Sequence, residues 1–251
     1  MMHDIDAVTL RKAAEKMFGE GAQVSHPIYI ADDHILVNIT PRFSRSFRSK
    51  FYFKSGSFDH KEPDIQETTM PTTAKPLFLG NWLTMYEDNG YEYFHRHRKP
   101  KAVMIVAITE KSELVLAIQK RKPHDKMSVE IPAGLVDEGE THAQTAAREL
   151  FEECGYIGDA PLITREFSTT PGICTEIIPF AIMINCKKVD GAGGGVAAEN
   201  EVITTELLNL DQSILEIRAE INRRFPKENY LTDLKLFAGI LVALTHSHFQ
   251  E

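Results

Sequence analysis

Residues Gly134–Tyr156 read GLVDEGETHAQTAARELFEECGY, and the spacing within this stretch decides how the surrounding chain is built. Thr141 followed three residues later by Gln144 fits a capping box, so a helix is expected to begin there. Ala143, Ala146, Ala147 and Leu150 recur at helical spacing and form a packing stripe, and Gly155 is a natural stop. Before it, Met127–Ile131 reads as a short strand that Pro132-Ala133-Gly134 ends. Glu149 and Glu153 stand four apart on one face of the helix, with Glu152 beside them, and this stripe is expected to look outward into a cavity. Stacked like charges destabilise a helix, which calls for a neutralising partner, and a hard divalent cation takes oxygen ligands. Arg148 is expected to point away from these glutamates and to tie the loop residue Glu140 to the helix through a bidentate pair. A solvated acidic helix accounts for single glutamates. It does not account for a glycine, four glutamates and an arginine in one register.

The 251 residues suffice for one substantial core plus a small appended module. A net charge of −8 argues against a general binder of nucleic acid or of anionic membranes. A phosphate-bearing substrate would then need local compensation by arginine, lysine or a bound metal. The three cysteines, Cys154, Cys174 and Cys186, form no paired framework and suggest a reducing compartment. No stretch has the length or apolarity of a signal peptide or a membrane span, so a cytoplasmic protein is expected.

Two regions are expected. Residues 1–75 read as an α+β extension: a helix over Val8–Phe18, then strands at Ile28–Ile30, His34–Ile39 and Lys50–Lys54. The basic and aromatic run Arg42–Arg48 reads as an exposed edge or loop, and Met70–Pro76 as a connector. From residue 76 to 251 the pattern is α/β. Strands are expected at Trp82–Tyr86, Tyr91–His95, Val103–Thr109, Leu114–Gln119, Leu162–Ser168 and Ile177–Asn185. Helices are expected at Asp211–Phe225 and Asp233–His248, the second with Leu234, Phe237, Leu241 and Leu244 facing the core. These elements give a mixed sheet sandwiched between helices. His124 and His142 read as surface residues, and the cysteines as structural.

The glycines, glutamates and arginine of Gly134–Tyr156 match the Nudix box in full, with Tyr156 where an aliphatic residue is usual. The chain resembles the Nudix hydrolase superfamily over roughly its last two-thirds, and the resemblance implies an α/β/α sandwich. Glu130-Ile131-Pro132-Ala133-Gly134 before the box, and Pro171 sixteen residues after Gly155, look like the ADP-ribose and ADP-sugar pyrophosphatase group. Thr175 stands where that group commonly has aspartate. The resemblance implies Mg²⁺-dependent hydrolysis of ADP-ribose or a related ADP-sugar to AMP and a sugar phosphate, with Mn²⁺ as a possible substitute. It implies direct ligation by Glu149, Glu153 and the Ala133 carbonyl, with Glu152 as a direct or water-bridged supporter. Gly134, Glu140 and Arg148 would be structural support.

On the same resemblance, Trp82 would stack on adenine, Tyr91 would sit where a second aromatic is expected, and Arg96, Arg121 and Glu130 would contact substrate. The run Gly191–Gly195 leads to Glu199, the first choice for positioning or deprotonating the attacking water, with Glu201 as substitute. A UDP-sugar pyrophosphatase and a nucleotide-sugar binder without turnover are the alternatives. Relatives of this type are usually homodimers that exchange N-terminal strands, the aromatic of one chain reaching the site of the other, so the resemblance implies a homodimer, with a small nucleotide sugar as partner and neither nucleic acid nor membrane.

Overall fold

A computed structural model describes residues 71–190 and 202–246, together with the backbone of short strands between residues 23 and 54. The helix expected at 8–18, the basic run 42–48 and the loop holding Gly191–Gly195, Glu199 and Glu201 lie outside the described residues. The chain divides into two compact units, Met1–Phe58 and Asp59–Glu251. In the first, β1 (Gln23–Val24), β2 (Tyr29–Ala31) and β4 (Ser49–Lys54) each pair antiparallel with β3 (His34–Thr40).

The second unit opens with an antiparallel three-stranded sheet of β5 (Lys75–Leu79), β6 (Leu83–Asp88) and β7 (Tyr91–Arg96). Asn89 and Gly90 turn the β6–β7 hairpin with φ of 53° and 84°. Positive φ at both central positions is what a two-residue hairpin loop demands, and Asn-Gly supplies it at the lowest steric cost.

Among the described residues the main sheet has nine strands. They are β8 (Ala102–Thr109), β9 (Glu113–Arg121), β10 (Lys126–Glu130), β11 (Ala133–Leu135), β12 (Tyr156–Ile157), β13 (Leu162–Ser168), β14 (Ile177–Lys188), β15 (Thr204–Asn209) and β16 (Tyr230–Thr232). β14 runs parallel to β8 and β16 parallel to β10, while the other pairings are antiparallel. The helices are α1 (His142–Glu149), α2 (Ile214–Arg224) and α3 (Leu234–His246).

β8 explains the layering. Met104 and Val106 point into one apolar cluster with Ile217, Ile221, Leu236 and Ile240 of α2 and α3. Val103, Ile105 and Ala107 point into a second cluster with Ala146, Leu150 and Cys154. Side chains alternate across a strand, so a strand buried on both faces must be apolar throughout. The result is the expected α/β/α sandwich around a mixed sheet. No helix among the described residues is long and apolar enough to cross a membrane.

Several expectations need correction. β5 begins inside the stretch read as a connector, where Pro76 reads as a break but is tolerated on an edge strand. β11, β12, β15 and β16 were not legible, because three of them have only two or three residues. The core face of α3 is also rotated. Leu236, Ile240 and Ala243 are buried; of the four residues expected to face the core, Phe237 and Leu244 pack against it half-buried, whereas Leu234 and Leu241 are exposed. Gly239 sets this orientation, since a Cβ there would stand 3.0 Å from Ile131 Cδ1. The helix therefore lies on the sheet through its glycine. Ile240→Ala is expected to cost about 2–5 kcal/mol and Leu241→Ala less than about 0.5 kcal/mol, measured by urea unfolding; equal losses would contradict this packing.

Candidate active site

Thr141 caps α1 as its spacing requires. Its Oγ1 accepts from Gln144 N–H at 3.2 Å, and its own N–H donates to Gln144 Oε1 at 2.8 Å. The helix does not continue as a plain α-helix. Leu150–Cys154 form a π turn, which Gly155 closes at φ 72° with its N–H donating to Phe151 O at 2.8 Å. π turns concentrate at functional sites, and the wider turn re-aims the side chains that follow Glu149.

Arg148 is the hub. Its Nε donates to Glu140 Oε1 at 2.9 Å and its Nη2 to Glu140 Oε2 at 2.8 Å, the expected bidentate pair. Thr145 Oγ1 adds a 2.8 Å bond to Glu140 Oε2. Contrary to expectation, Arg148 does not point away from the other glutamates. Its Nη1 donates to Glu149 Oε1 at 2.7 Å and to Glu152 Oε2 at 3.1 Å. Burial alone would lower the arginine pKa, but Glu140 and Glu149 outweigh it and hold the guanidinium charged. Sequence spacing could not show this sharing, because one guanidinium with five donors can serve three carboxylates at once.

Gly134 has a steric reason. A Cβ there would stand 2.1 Å from the Glu149 carboxyl carbon, so only glycine leaves room for that carboxylate. Gly134 lies in β11, anchored to β8 by the Ala133↔Met104 and Gly134↔Val103 registers. Ala133 N–H donates to Glu153 Oε2 at 3.2 Å.

The carboxylates differ in exposure. Glu152 is exposed, but Glu153 is only 8% exposed, so the stripe does not simply face outward. Burial pushes the Glu149 pKa up, against the pull of Arg148. Burial and the neighbouring Glu149 push Glu153 from 4.5 up to about 8. Two carboxyls held above their ordinary range by burial, with Glu149 also raising Glu153, form a donor set a divalent cation would relieve. Among the described residues, no three His, Cys, Asp or Glu side chains are drawn into a cation-holding cluster. Arg148 and the Ala133 N–H take those oxygens instead. The donor chemistry fits an oxygen-seeking cation at Glu149, Glu152 and Glu153, with the Ala133 backbone adjacent.

The expected substrate residues divide into two groups. Arg121 donates to both oxygens of buried Glu130, Nε to Oε1 at 2.7 Å and Nη2 to Oε2 at 2.5 Å, and the pair acts electrostatically on Glu153. These two residues therefore hold each other beside the glutamates. Arg96 and Tyr91 belong to β7 of the three-stranded sheet, and Trp82 lies in the bend that enters β6. Arg96 Nε donates to Glu176 Oε1 at 3.0 Å, and Tyr91 OH donates to Gly172 O at 2.7 Å. The Trp82 ring is about half exposed, and its carbonyl accepts from His97 N–H at 3.2 Å. His142, expected at the surface, is buried at the first turn of α1, while His124 is exposed. Cys154 and Cys186 are buried, with thiol pKa values pushed up to about 12, which fits structural roles.

Comparison with known proteins places this geometry. The family model described as NUDIX domain matches residues 98–227. A methanol dehydrogenase activator of Bacillus methanolicus is 38% identical over 121 residues, covering 48% of this chain and 64% of that protein. An ADP-ribose pyrophosphatase of Bacillus subtilis is 40% identical over 81 residues, covering 32% of this chain and 44% of that protein. An ADP-ribose pyrophosphatase of Mycobacterium tuberculosis is 33% identical over 89 residues, covering 35% of this chain and 43% of that protein. The chain thus spans less than two-thirds of the length of each of these relatives. A solved structure titled as an ADP compounds hydrolase superposes with a TM-score of 0.53 at 18% identity, covering 75% of this chain and 98% of that one, and so supports the fold.

The raised Glu153 pKa carries a stability signature. Its folded value of about 8 exceeds the unfolded 4.5, so the folded state binds the extra proton. That stabilisation is complete below the unfolded value and is lost as pH rises through the folded one. In chelator, the melting temperature is expected to fall between about pH 5 and pH 9, and Glu153→Gln to flatten the decline. Identical pH slopes for the two proteins would show that Glu153 is not the group responsible.

Proposed function

This chain belongs to the NUDIX domain family, and from that membership we propose that it is a divalent-metal-dependent hydrolase of ADP-ribose or a related ADP-sugar. The products are AMP and a sugar phosphate. The observation that carries this reading is the set Glu149, Glu152 and Glu153: Arg148 holds the first two, the Ala133 N–H holds the third, and Gly134 leaves room for the Glu149 carboxylate. The substrate class is supported by the two ADP-ribose pyrophosphatase relatives and by the half-exposed Trp82, whose ring is free to stack on a purine.

The residues divide the work. Glu149 and Glu153, with Glu152 in support and the Ala133 carbonyl, would hold Mg²⁺, or Mn²⁺ in its place. Such a cation neutralises phosphate oxygens, orients the diphosphate and lowers the pKa of bound water. Glu140 and Arg148 keep the loop and helix in register, and Arg148 supplies the positive charge that lets the carboxylates stay close. Arg121, held by Glu130 beside the glutamates, brings positive charge for the diphosphate, whereas Arg96 is engaged by Glu176. Glu199, or Glu201 in its stead, is assigned to the attacking water on the sequence alone.

A panel of ADP-ribose and UDP-glucose, each with Mg²⁺ and with Mn²⁺, tests the reading. AMP and ribose 5-phosphate are expected from ADP-ribose, with Glu149→Gln and Glu153→Gln each lowering kcat by about 100-fold or more. Preferred turnover of UDP-glucose would favour the UDP-sugar alternative. Nucleotide binding without turnover of any diphosphate would overturn the hydrolase assignment.

A homodimer is part of the same proposal. Leu77, Phe78 and Leu79 of β5 are 52, 67 and 71% exposed, an apolar strand that a second copy would cover. Sedimentation is expected to give a dimer for the wild-type protein and a monomer for Phe78→Glu; a wild-type monomer at micromolar concentration would refute it.

A further inference from the structure

The hairpin that follows Trp82 reaches the main sheet along the segment Ile173–Glu176. Phe94 N–H donates to Ile173 O at 2.7 Å, and Thr175 N–H donates to Phe94 O at 3.0 Å, so Cys174 bridges Phe94 in the parallel sense. Side chains repeat the register on either side. His95 Nδ1 and Thr175 Oγ1 share a 2.9 Å hydrogen bond, and Arg96 Nε donates to Glu176 Oε1 at 3.0 Å.

The strip then enters β14 at Ile177, and the path continues by register. Phe180 of β14 stands opposite Met104 of β8, Met104 stands opposite Ala133 of β11, and Ala133 N–H binds Glu153. At the other end, Arg96 lies directly across from Leu83, the residue after Trp82. One ladder of backbone and side-chain bonds therefore runs from Trp82 to the carboxylate cluster.

We propose that His95, Arg96, Thr175 and Glu176 are positioning residues that fix the Trp82 hairpin relative to Glu149 and Glu153, and so set affinity for the nucleoside end of the substrate. The identity of that substrate rests on the hydrolase reading; the ladder itself does not. Thr175 suits this arrangement chemically. Burial and the neighbouring His97 hold the His95 pKa down, so a neutral ring meets a neutral hydroxyl. The charged bond is left to Arg96 and Glu176, both at least partly buried, where a charge-assisted bond outlasts solvent competition better than at the surface.

The chain contains a single tryptophan, so its emission reports on this hairpin alone. Thr175→Val and Glu176→Gln are each expected to weaken ADP-ribose binding by about 5- to 10-fold, read from Trp82 quenching in chelator. The corresponding rise in KM should leave kcat at saturation within about twofold. In a Trp82→Ala background, Glu176→Gln should add less than about twofold to KM, because the group it positions is gone. Glu176→Asp should recover part of the affinity.

Equal KM increases with and without Trp82, or losses in kcat alone, would overturn the proposal. So would wild-type Trp82 emission that ignores nucleotide. Absence of turnover by wild-type protein that still shows ladder-dependent quenching would remove the hydrolase reading and leave the ladder standing.

Discussion

Three carboxylates converge on one guanidinium, and the site cannot be assembled without that contact. Arg148 is 6% exposed and serves Glu140, Glu149 and Glu152 together. A buried charge is tolerated only when paired and hydrogen-bonded, and removing one partner strands the rest. Glu140 supplies the bidentate half of the compensation, which also fastens the loop Leu135–Glu140 to α1. The remaining edge of the guanidinium is shared between two further carboxylates, so their negative charge is only partly answered. The proposed divalent cation would answer that deficit.

The sandwich holds this cluster at a fixed depth. β8 contributes side chains to both apolar clusters and pairs with β11 and β14. Any shift of β8 would therefore move Ala133, the Gly134 backbone and the root of the β14 strip together. The cores on its two faces resist such a shift from opposite sides, since close-packed interiors transmit strain rather than absorb it.

Much of this was legible in the sequence where local chemistry dominates. The Thr141–Gln144 cap, the Gly155 stop, the Glu140–Arg148 pair and the alternation of apolar strands all follow from residue type and spacing. The misses have physical causes. The π turn at Leu150–Cys154 leaves no signature in side-chain periodicity. The face of α3 was set by the close approach of Gly239 to Ile131, a tertiary fact that favours a glycine seam over the leucine stripe. Short strands such as β12 and β16 exist because longer neighbours recruit them, and they carry too few residues to announce themselves. His142 was misplaced because the first turn of a helix is commonly exposed, whereas here it is covered.

On the proposed reading, chemistry and recognition occupy different parts of this chain and are joined differently. The carboxylate cluster, its glycine and its arginine all come from residues 130–156, a contiguous stretch whose geometry is settled by one helix, one loop and two short strands. The side chains proposed for the nucleoside come from Trp82–Arg96, held by Gly172–Glu176 some 80 residues later. A local unit tolerates little change, because each member contacts two or three others. The two-segment unit is joined by two backbone hydrogen bonds at Phe94 and by the side chains of Tyr91, His95 and Arg96. On the proposed reading, substitutions there would alter affinity for the nucleoside end of the substrate while leaving the glutamates in place. On that reading substrate preference would vary around the glutamates, and the residues that decide it would lie outside residues 130–156.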